Sequence, residues 1–146
     1  MKAKDFQDYG IQNVRAQDIT GTGAPLDSVN VFLVRRLDEF VGRAGVKVVF
    51  LPNGLTTGVH RSTWHPRGLA ADIAFDVDQD EVDIYALWKL AIEVGFRGVG
   101  IYWNGVAYSM HLDLRPRLAF WGGSKAQGGP WDYSGVFTDP RSRVAA

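Results

Sequence analysis

Three side chains in this sequence have types and spacing suited to binding one metal ion: His65, Asp72 and His111. Asp72 follows His65 by seven residues, at the start of a predicted strand. The intervening segment contains small residues: Gly68, Ala70 and Ala71. They would let the loop fold back so that the imidazole and the carboxylate, both suitable zinc ligands, converge. His111 from another strand would complete the three-ligand, one-water arrangement of a catalytic zinc site.

His111 belongs to a segment, residues 106–115, in which apolar and polar residues alternate strictly. This period predicts a strand with one apolar and one polar face. The polar face would carry Ala107, Ser109, His111, Asp113 and Arg115. A solvent-facing edge is the alternative explanation for such a face, but the His65–Asp72 segment favours a metal site. Ser109 could hydrogen-bond a substrate or a ligand, or be an ordinary strand serine.

Alternating strands and amphipathic helices would position these residues. Strands are predicted at residues 46–51, 69–77, 96–102 and 106–115, with a tight turn at Asn104-Gly105. One helix is predicted from a cap at Asp27 or Ser28 to about Val41, and another from Asp78 or Asp80 to about Val94. Gly95 would end the second helix.

These elements predict an α+β fold in which two main helices pack on a small, mainly antiparallel sheet. The 146 residues fit one domain, 1–146. Residues 1–27 are polar and turn-rich and are interpreted as an N-terminal arm, with room for one short strand. Residues 122–146 are interpreted as a glycine-rich C-terminal tail. The metal site would lie in a cleft on the open face of the sheet.

Composition excludes several classes of function. Sixteen basic residues balance sixteen acidic ones, so no net positive charge favours nucleic acid. There is no cysteine, so a metal must be held by His, Asp or Glu. No stretch approaches the ~20 apolar residues of a membrane span. No apolar run follows Lys2 and Lys4, so we expect a chain made in the cytoplasm without a signal peptide.

Several motifs together resemble the M15 zinc peptidases. His65 and Asp72 stand in the pattern S/T-x-H-x-x-G-x-A-x-D-I, followed by the strand GVGIY and by H-x-D at His111 and Asp113. The family comprises D-alanyl-D-alanine carboxypeptidases and the L-alanyl-D-glutamate endolysins of phages. The resemblance covers roughly residues 46–121. It implies a fold like those of hedgehog and the D-Ala-D-Ala peptidases, with Zn²⁺ held by His65, Asp72 and His111.

The chain departs from the family at the catalytic base. Many relatives have a glutamate three residues before the last histidine, whereas this chain has Tyr108 there. A base is needed to take the proton of the attacking water. Asp113 is the candidate, two residues beyond His111 and about 7 Å along the strand. The alternative is that Asp113 orients a metal ligand or pairs with Arg115.

Three residues near His65 are further candidates. Related enzymes hold a substrate carboxylate with an arginine upstream of the first histidine. The resemblance therefore implies that Arg61 contacts substrate. Arg61 is closer to His65 in the sequence than the corresponding arginine of the family is to its histidine. Trp64 is expected to be exposed beside a ligand and to contact substrate. His60 could be a ligand or a proton carrier, but a lone loop histidine is more often neither.

The resemblance implies a zinc-dependent hydrolase of peptide bonds in peptidoglycan stem peptides. We expect a monomer that acts on the cell wall if another protein releases it, as phage lysins do. The first alternative is a non-catalytic zinc module on the same fold, structural or part of a virion, which the missing glutamate favours. The second is a metal-free scaffold with a buried polar cluster.

Overall fold

A five-stranded sheet lies at the centre of the computed structural model, which describes residues 1–133 and Arg141. The strands are β1 Val48–Phe50, β2 Ala70–Phe75, β3 Gly98–Trp103, β4 Tyr108–Asp113 and β5 Ala119–Ser124. Their order is β1-β2-β4-β3-β5. The three pairs among β1, β2, β4 and β3 are antiparallel, while β5 runs parallel to β3. The predicted α+β class is confirmed, and the sheet is mixed because of its edge strand.

Within residues 1–133, four helices accompany the sheet: α1 Asp5–Asp8, α2 Ala16–Thr20, α3 Val31–Arg43 and α4 Ile84–Val94. The helices α3 and α4 correspond to the two main helices that the sequence predicts. Short 3₁₀ turns occupy Leu26–Ser28 and Gln79–Glu81. The N-terminal arm, all of which is described, contains α1 and α2 and no strand.

Both main helices begin later than predicted. The carboxamide of Asn30 accepts the N–H of Phe32 at 2.8 Å, so Asn30 caps α3. Asp83 caps α4 by accepting the N–H of Ala86 at 3.1 Å. Of the earlier candidates, Asp27, Ser28 and Asp80 lie in the 3₁₀ turns that precede the helices, and Asp78 caps the second of these turns. Gly95 ends α4 as predicted, with φ 116°, a left-handed conformation that glycine adopts without steric cost.

The two helices pack on one face of the sheet. Alternate strand residues on this face are buried, including Ile73, Met110 and Leu112. Phe40 of α3 is fully buried and meets the ring of Phe96 edge to face, with centroids 6.4 Å apart. Because successive side chains of a strand point to opposite faces, Asp72 and His111 lie on the face away from the helices.

The predicted C-terminal tail begins inside the sheet. Gly122 and Gly123 belong to β5, and both are buried. They pair with Ile101 and Tyr102 of β3. Glycine is uncommon in strands, so the sequence pattern indicated a loop. The segments 134–140 and 142–146 of the predicted tail lie outside the described residues.

In the described part of the chain, no helix has the length and apolar character needed to cross a membrane.

Replacing Phe40 by alanine tests the core. We expect the free energy of unfolding to fall by about 3–5 kcal/mol, because a buried ring is lost and a cavity remains. Phe32→Ala on the same helix is the matched control, since Phe32 is 56% exposed and surface substitutions change stability by about 0.5 kcal/mol or less. Chemical denaturation of both variants measures this, and equal losses would contradict the packing described.

Candidate metal centre

Strand register brings the predicted ligands Asp72 and His111 side by side. Asp72 of β2 pairs with His111 of β4, and His111 pairs with Gly100 of β3 on its other side. Gly100 in turn pairs with Trp121 of β5. Paired residues point to the same face, with Cβ atoms about 5 Å apart. One row across four strands therefore forms the floor of the site.

His65 reaches this row from the loop between β1 and β2. Its backbone carbonyl accepts the N–H of Gly68 at 2.9 Å, which closes a turn. Gly68 has φ +70°, and a side chain there would collide with the Ser28 carbonyl. The turn directs the His65 ring inward, where it is 2% exposed. Of the three small residues expected to let the loop fold back, Gly68 lies at the turn, whereas Ala70 and Ala71 already belong to β2.

The three predicted ligands meet at one point. His65 Nε2 lies 3.4 Å from Asp72 Oδ1 and 3.2 Å from His111 Nδ1. The Asp72 Oδ1 to His111 Nδ1 distance is 3.2 Å. Ligand atoms about 2.0–2.1 Å from a tetrahedral zinc ion would be about 3.3 Å apart. The triangle thus has the size that such an ion requires.

The outer nitrogen of each imidazole is already bonded. His65 Nδ1 lies 2.7 Å from the carbonyl oxygen of Leu55, which can only accept, so Nδ1 carries a proton. His111 Nε2 donates to Asp113 Oδ2 at 2.7 Å. In the neutral rings the lone pairs of His65 Nε2 and His111 Nδ1 therefore face the Asp72 carboxylate. Three acceptors around one point suit a cation, and the donor set fits a metal ion.

Asp113 lies behind His111, away from the triangle. It is completely buried and uses both carboxylate oxygens. Arg115 donates from Nε to Oδ1 at 2.8 Å and from Nη2 to Oδ2 at 2.6 Å, while His111 also bonds Oδ2. Of the two roles left open for Asp113, these contacts match the second, orientation of a ligand and pairing with Arg115. Asp113 bonds Nε2 of His111, whereas Nδ1 faces the triangle.

Charges around the ligands shift their pKa values. Burial tends to raise the pKa of Asp72. Hydrogen bonds and charge attraction from His111 and His65, which act when those rings carry their second proton in the metal-free protein, outweigh burial and lower the pKa to about 2. Burial also opposes the shift at Asp113, where Arg115 and His111 hold the carboxyl pKa well below its usual range. Despite burial, bonds to Asp113 and Asp72 raise the pKa of His111. Both carboxylates therefore stay ionised beside the imidazoles.

Glycines on β3 make room for the side chains above the sheet. A Cβ at Gly98 would overlap Asp113 and the Arg115 guanidinium. A Cβ at Gly100 would overlap the Trp121 indole and lie 2.9 Å from the Tyr102 hydroxyl. The GVG segment thus provides the space in which the carboxylate, the guanidinium and the aromatic rings lie.

His60 lies beside the site. Sequence analysis left open whether this histidine is a ligand, a proton carrier or neither. Its ring stacks on that of His65, with centroids 3.8 Å apart. His60, His65 and Asp72 form a group that could bind a metal ion, because one ligand atom from each lies within 4.8 Å of the others. Nε2 of His60 lies 2.6 Å from the Asn53 carbonyl and 2.5 Å from that of Thr57, so it carries a proton. Nδ1 is then the nitrogen free to accept.

The ligands line a cavity of about 420 Å³. Arg61 and Ser109, both predicted to contact substrate, line it as well. Trp64 is not among the described residues that line it. The Trp64 ring is half-buried beneath Arg67 and Arg115, whose guanidinium carbons lie 5.2 and 5.8 Å from its centroid. The expected exposure of Trp64 is therefore wrong, because these guanidinium groups cover the ring.

Tyr102 is a cavity residue that sequence analysis missed. Its hydroxyl accepts a hydrogen bond from Trp121 Nε1. The alternation of β3 could have indicated it, since Tyr102 stands two residues after Gly100 and thus on the same face.

The ionised Asp72 should stabilise the metal-free protein only above acidic pH. The ordinary pKa of its carboxyl is 3.8, and in the folded chain it is about 2. The unfolded chain therefore binds the proton first as pH falls, and about 2 kcal/mol of stability is lost between about pH 5 and pH 2. Chelator-treated wild type and Asp72→Asn should be compared by denaturation at both pH values. Between these pH values the free energy of unfolding should fall by about 2 kcal/mol more in the wild type than in Asp72→Asn. Equal losses in the two proteins would contradict the pairing of Asp72 with the histidines.

Comparison of the chain with family models, with characterised proteins and with solved structures finds no match.

Proposed function

We propose that this chain is a zinc-dependent peptidase that hydrolyses peptide bonds in peptidoglycan stem peptides. The observation that carries the proposal is the triangle of His65 Nε2, Asp72 Oδ1 and His111 Nδ1, with edges of 3.2–3.4 Å, beside an open cavity. The resemblance of the surrounding motifs to the M15 peptidases supplies the substrate class.

Zinc is the ion that this donor set favours. Two imidazoles and one carboxylate suit zinc, whereas calcium and magnesium prefer oxygen ligands. Three protein ligands leave one position for water, which distinguishes a catalytic site from a closed structural one. When bound, zinc would acidify its water and polarise the carbonyl of the scissile bond.

The protein side chains would supply binding and proton transfer. Arg61 at the cavity wall offers a guanidinium that can bind a peptide carboxylate through two hydrogen bonds. Asp113 holds the His111 ring and leaves the base role to another group, since both of its oxygens are bonded. The remaining basic side chain among the described lining residues is His60, which we assign to accept the proton.

A second candidate function is a non-catalytic zinc module, and the position of His60 favours it. If His60 binds the ion together with His65, Asp72 and His111, four protein ligands close the site. A closed tetrahedral site stabilises a fold and leaves no place for a water nucleophile. The two functions therefore differ in what His60 contacts.

Three proteins separate these functions: wild type, His111→Ala and His60→Ala. For a peptidase we expect one zinc ion per wild-type chain, loss of stoichiometric zinc in His111→Ala, and retained zinc with lowered activity in His60→Ala. For a structural module, His60→Ala should weaken zinc binding as strongly as His111→Ala. Elemental analysis measures zinc, and the turbidity of cell-wall suspensions, with and without chelator, measures hydrolysis. A wild type without zinc would refute both functions.

Asp113→Asn should weaken zinc binding about 10–100-fold, a typical loss when the partner of a ligating histidine is changed. The amide cannot match a carboxylate as acceptor for both His111 Nε2 and Arg115. Asp76→Asn is the matched control, because Asp76 is exposed and pairs with Lys47 away from the site. Competition with a chromophoric chelator measures both affinities. Equal affinities for the two variants would contradict the orienting role.

A further inference from the structure

The Tyr102 side chain lies on the wall of the proposed metal site, and none of the functions assigned above uses it. Tyr102 pairs with Ser109 in the β3–β4 register, next to the pair of Gly100 and His111. Tyr102 therefore shares a face with His111. Its hydroxyl lies 2.9 Å from the position that a Cβ of Gly100 would occupy. The ring thus leans from its own row toward the row that contains Asp72 and His111.

The surrounding residues fix the position of this hydroxyl. Trp121, from the row of His111, donates its indole N–H to the Tyr102 oxygen. The Trp131 ring meets the Tyr102 ring edge to face, with centroids 6.0 Å apart. At Gly123, a Cβ would lie 3.3 Å from Tyr102 Cδ1 and closer still to Tyr133. Two glycines on the strands therefore provide the space in which the phenol is held.

The bond to Trp121 leaves the phenol proton free. An indole N–H is only a donor, so the Tyr102 oxygen accepts in this bond and keeps its own O–H for another partner. Among the described residues, no acceptor for this proton is found. The Tyr102 side chain lines the same cavity as His65, Asp72 and His111. A water or a ligand in that cavity can accept this proton.

The phenol also stays protonated in the range where the protein would work. Burial raises the pKa of Tyr102 to about 12. The hydrogen bond from Trp121 opposes this shift, and the negative charge of Asp72 adds to it. A neutral hydroxyl next to a cation site acts as a donor without adding a negative charge that would compete for the ion.

We propose that the Tyr102 hydroxyl donates a hydrogen bond to the ligand oxygen at the metal, which in a peptide substrate is the carbonyl oxygen that gains negative charge during hydrolysis. This inference rests on the proposed function. Fixed donors aimed at developing charge are among the largest contributions to catalysis. The Tyr102–Trp121 pair would then be a device that holds one such donor beside the ion.

Tyr102→Phe removes only the hydroxyl oxygen. Tyr9→Phe is the control, since Tyr9 is 44% exposed and is not among the described residues that line this cavity. Acetohydroxamate, a small anion that binds zinc through its oxygens, serves as the probe for zinc-loaded protein in calorimetry. We expect its Kd to rise about 10-fold in Tyr102→Phe, corresponding to one lost hydrogen bond to a charged group, and to stay unchanged in Tyr9→Phe. Zinc affinity should be unchanged in both variants.

Hydrolysis of a stem peptide gives the second readout. Tyr102→Phe should lower kcat by about 10²-fold with little change in KM, because the bond strengthens only as charge develops. A merely structural role would instead lower thermal stability and zinc affinity together.

The outcomes separate this inference from the proposed function. A wild type that binds no zinc refutes both. A zinc-bound wild type whose acetohydroxamate affinity and kcat equal those of Tyr102→Phe refutes the role of Tyr102 alone. If zinc-bound wild type does not hydrolyse the peptide, the peptidase proposal fails, and the acetohydroxamate comparison by itself decides whether Tyr102 contacts the metal-bound ligand.

Discussion

The register between β2 and β4 is the constraint on which the candidate site depends. It sets Asp72 beside His111 on the face away from the helices, and it sets the apolar pair Ile73 and Met110 beside each other on the core face. A slip of one residue would move every side chain of a strand to the other face. The hydrophobic core therefore fixes the register, and the register in turn brings the carboxylate and the imidazole together.

The second constraint is that buried polar groups need hydrogen-bond partners. Each buried histidine and carboxylate of the site has such a partner. His65 is held by the carbonyl of Leu55, and His111 by Asp113. Asp113 is a completely buried carboxylate, which would be costly without partners. Arg115 supplies them through its backbone N–H, Nε and Nη2. The same contacts that stabilise these groups also turn the free lone pairs of both rings toward Asp72.

Local patterns predicted the elements better than their functions. Alternation predicted which residues of β2 and β4 share a face, because a period of two follows directly from strand geometry. It did not predict that His111 and Asp113 on the polar face of β4 are buried as well. Helix starts were misplaced because several residues can cap, and tertiary packing selected Asn30 and Asp83. The whole edge strand β5 was missed. Its residues Gly122 and Gly123 indicate a loop unless neighbouring aromatic rings need the space.

The sequence by itself determined the α+β class, the alternation of the strands, and the chemistry available to the His65–Asp72 segment, since these depend on residue type and near-neighbour spacing. Only the tertiary structure decided that Asp113 lies behind His111, that His60 stacks on His65, and that Tyr102 leans toward the same row. Spacing along a chain fixes the face on which a side chain lies. Which partner it meets depends on loops and strands that are distant in sequence and adjacent only after packing.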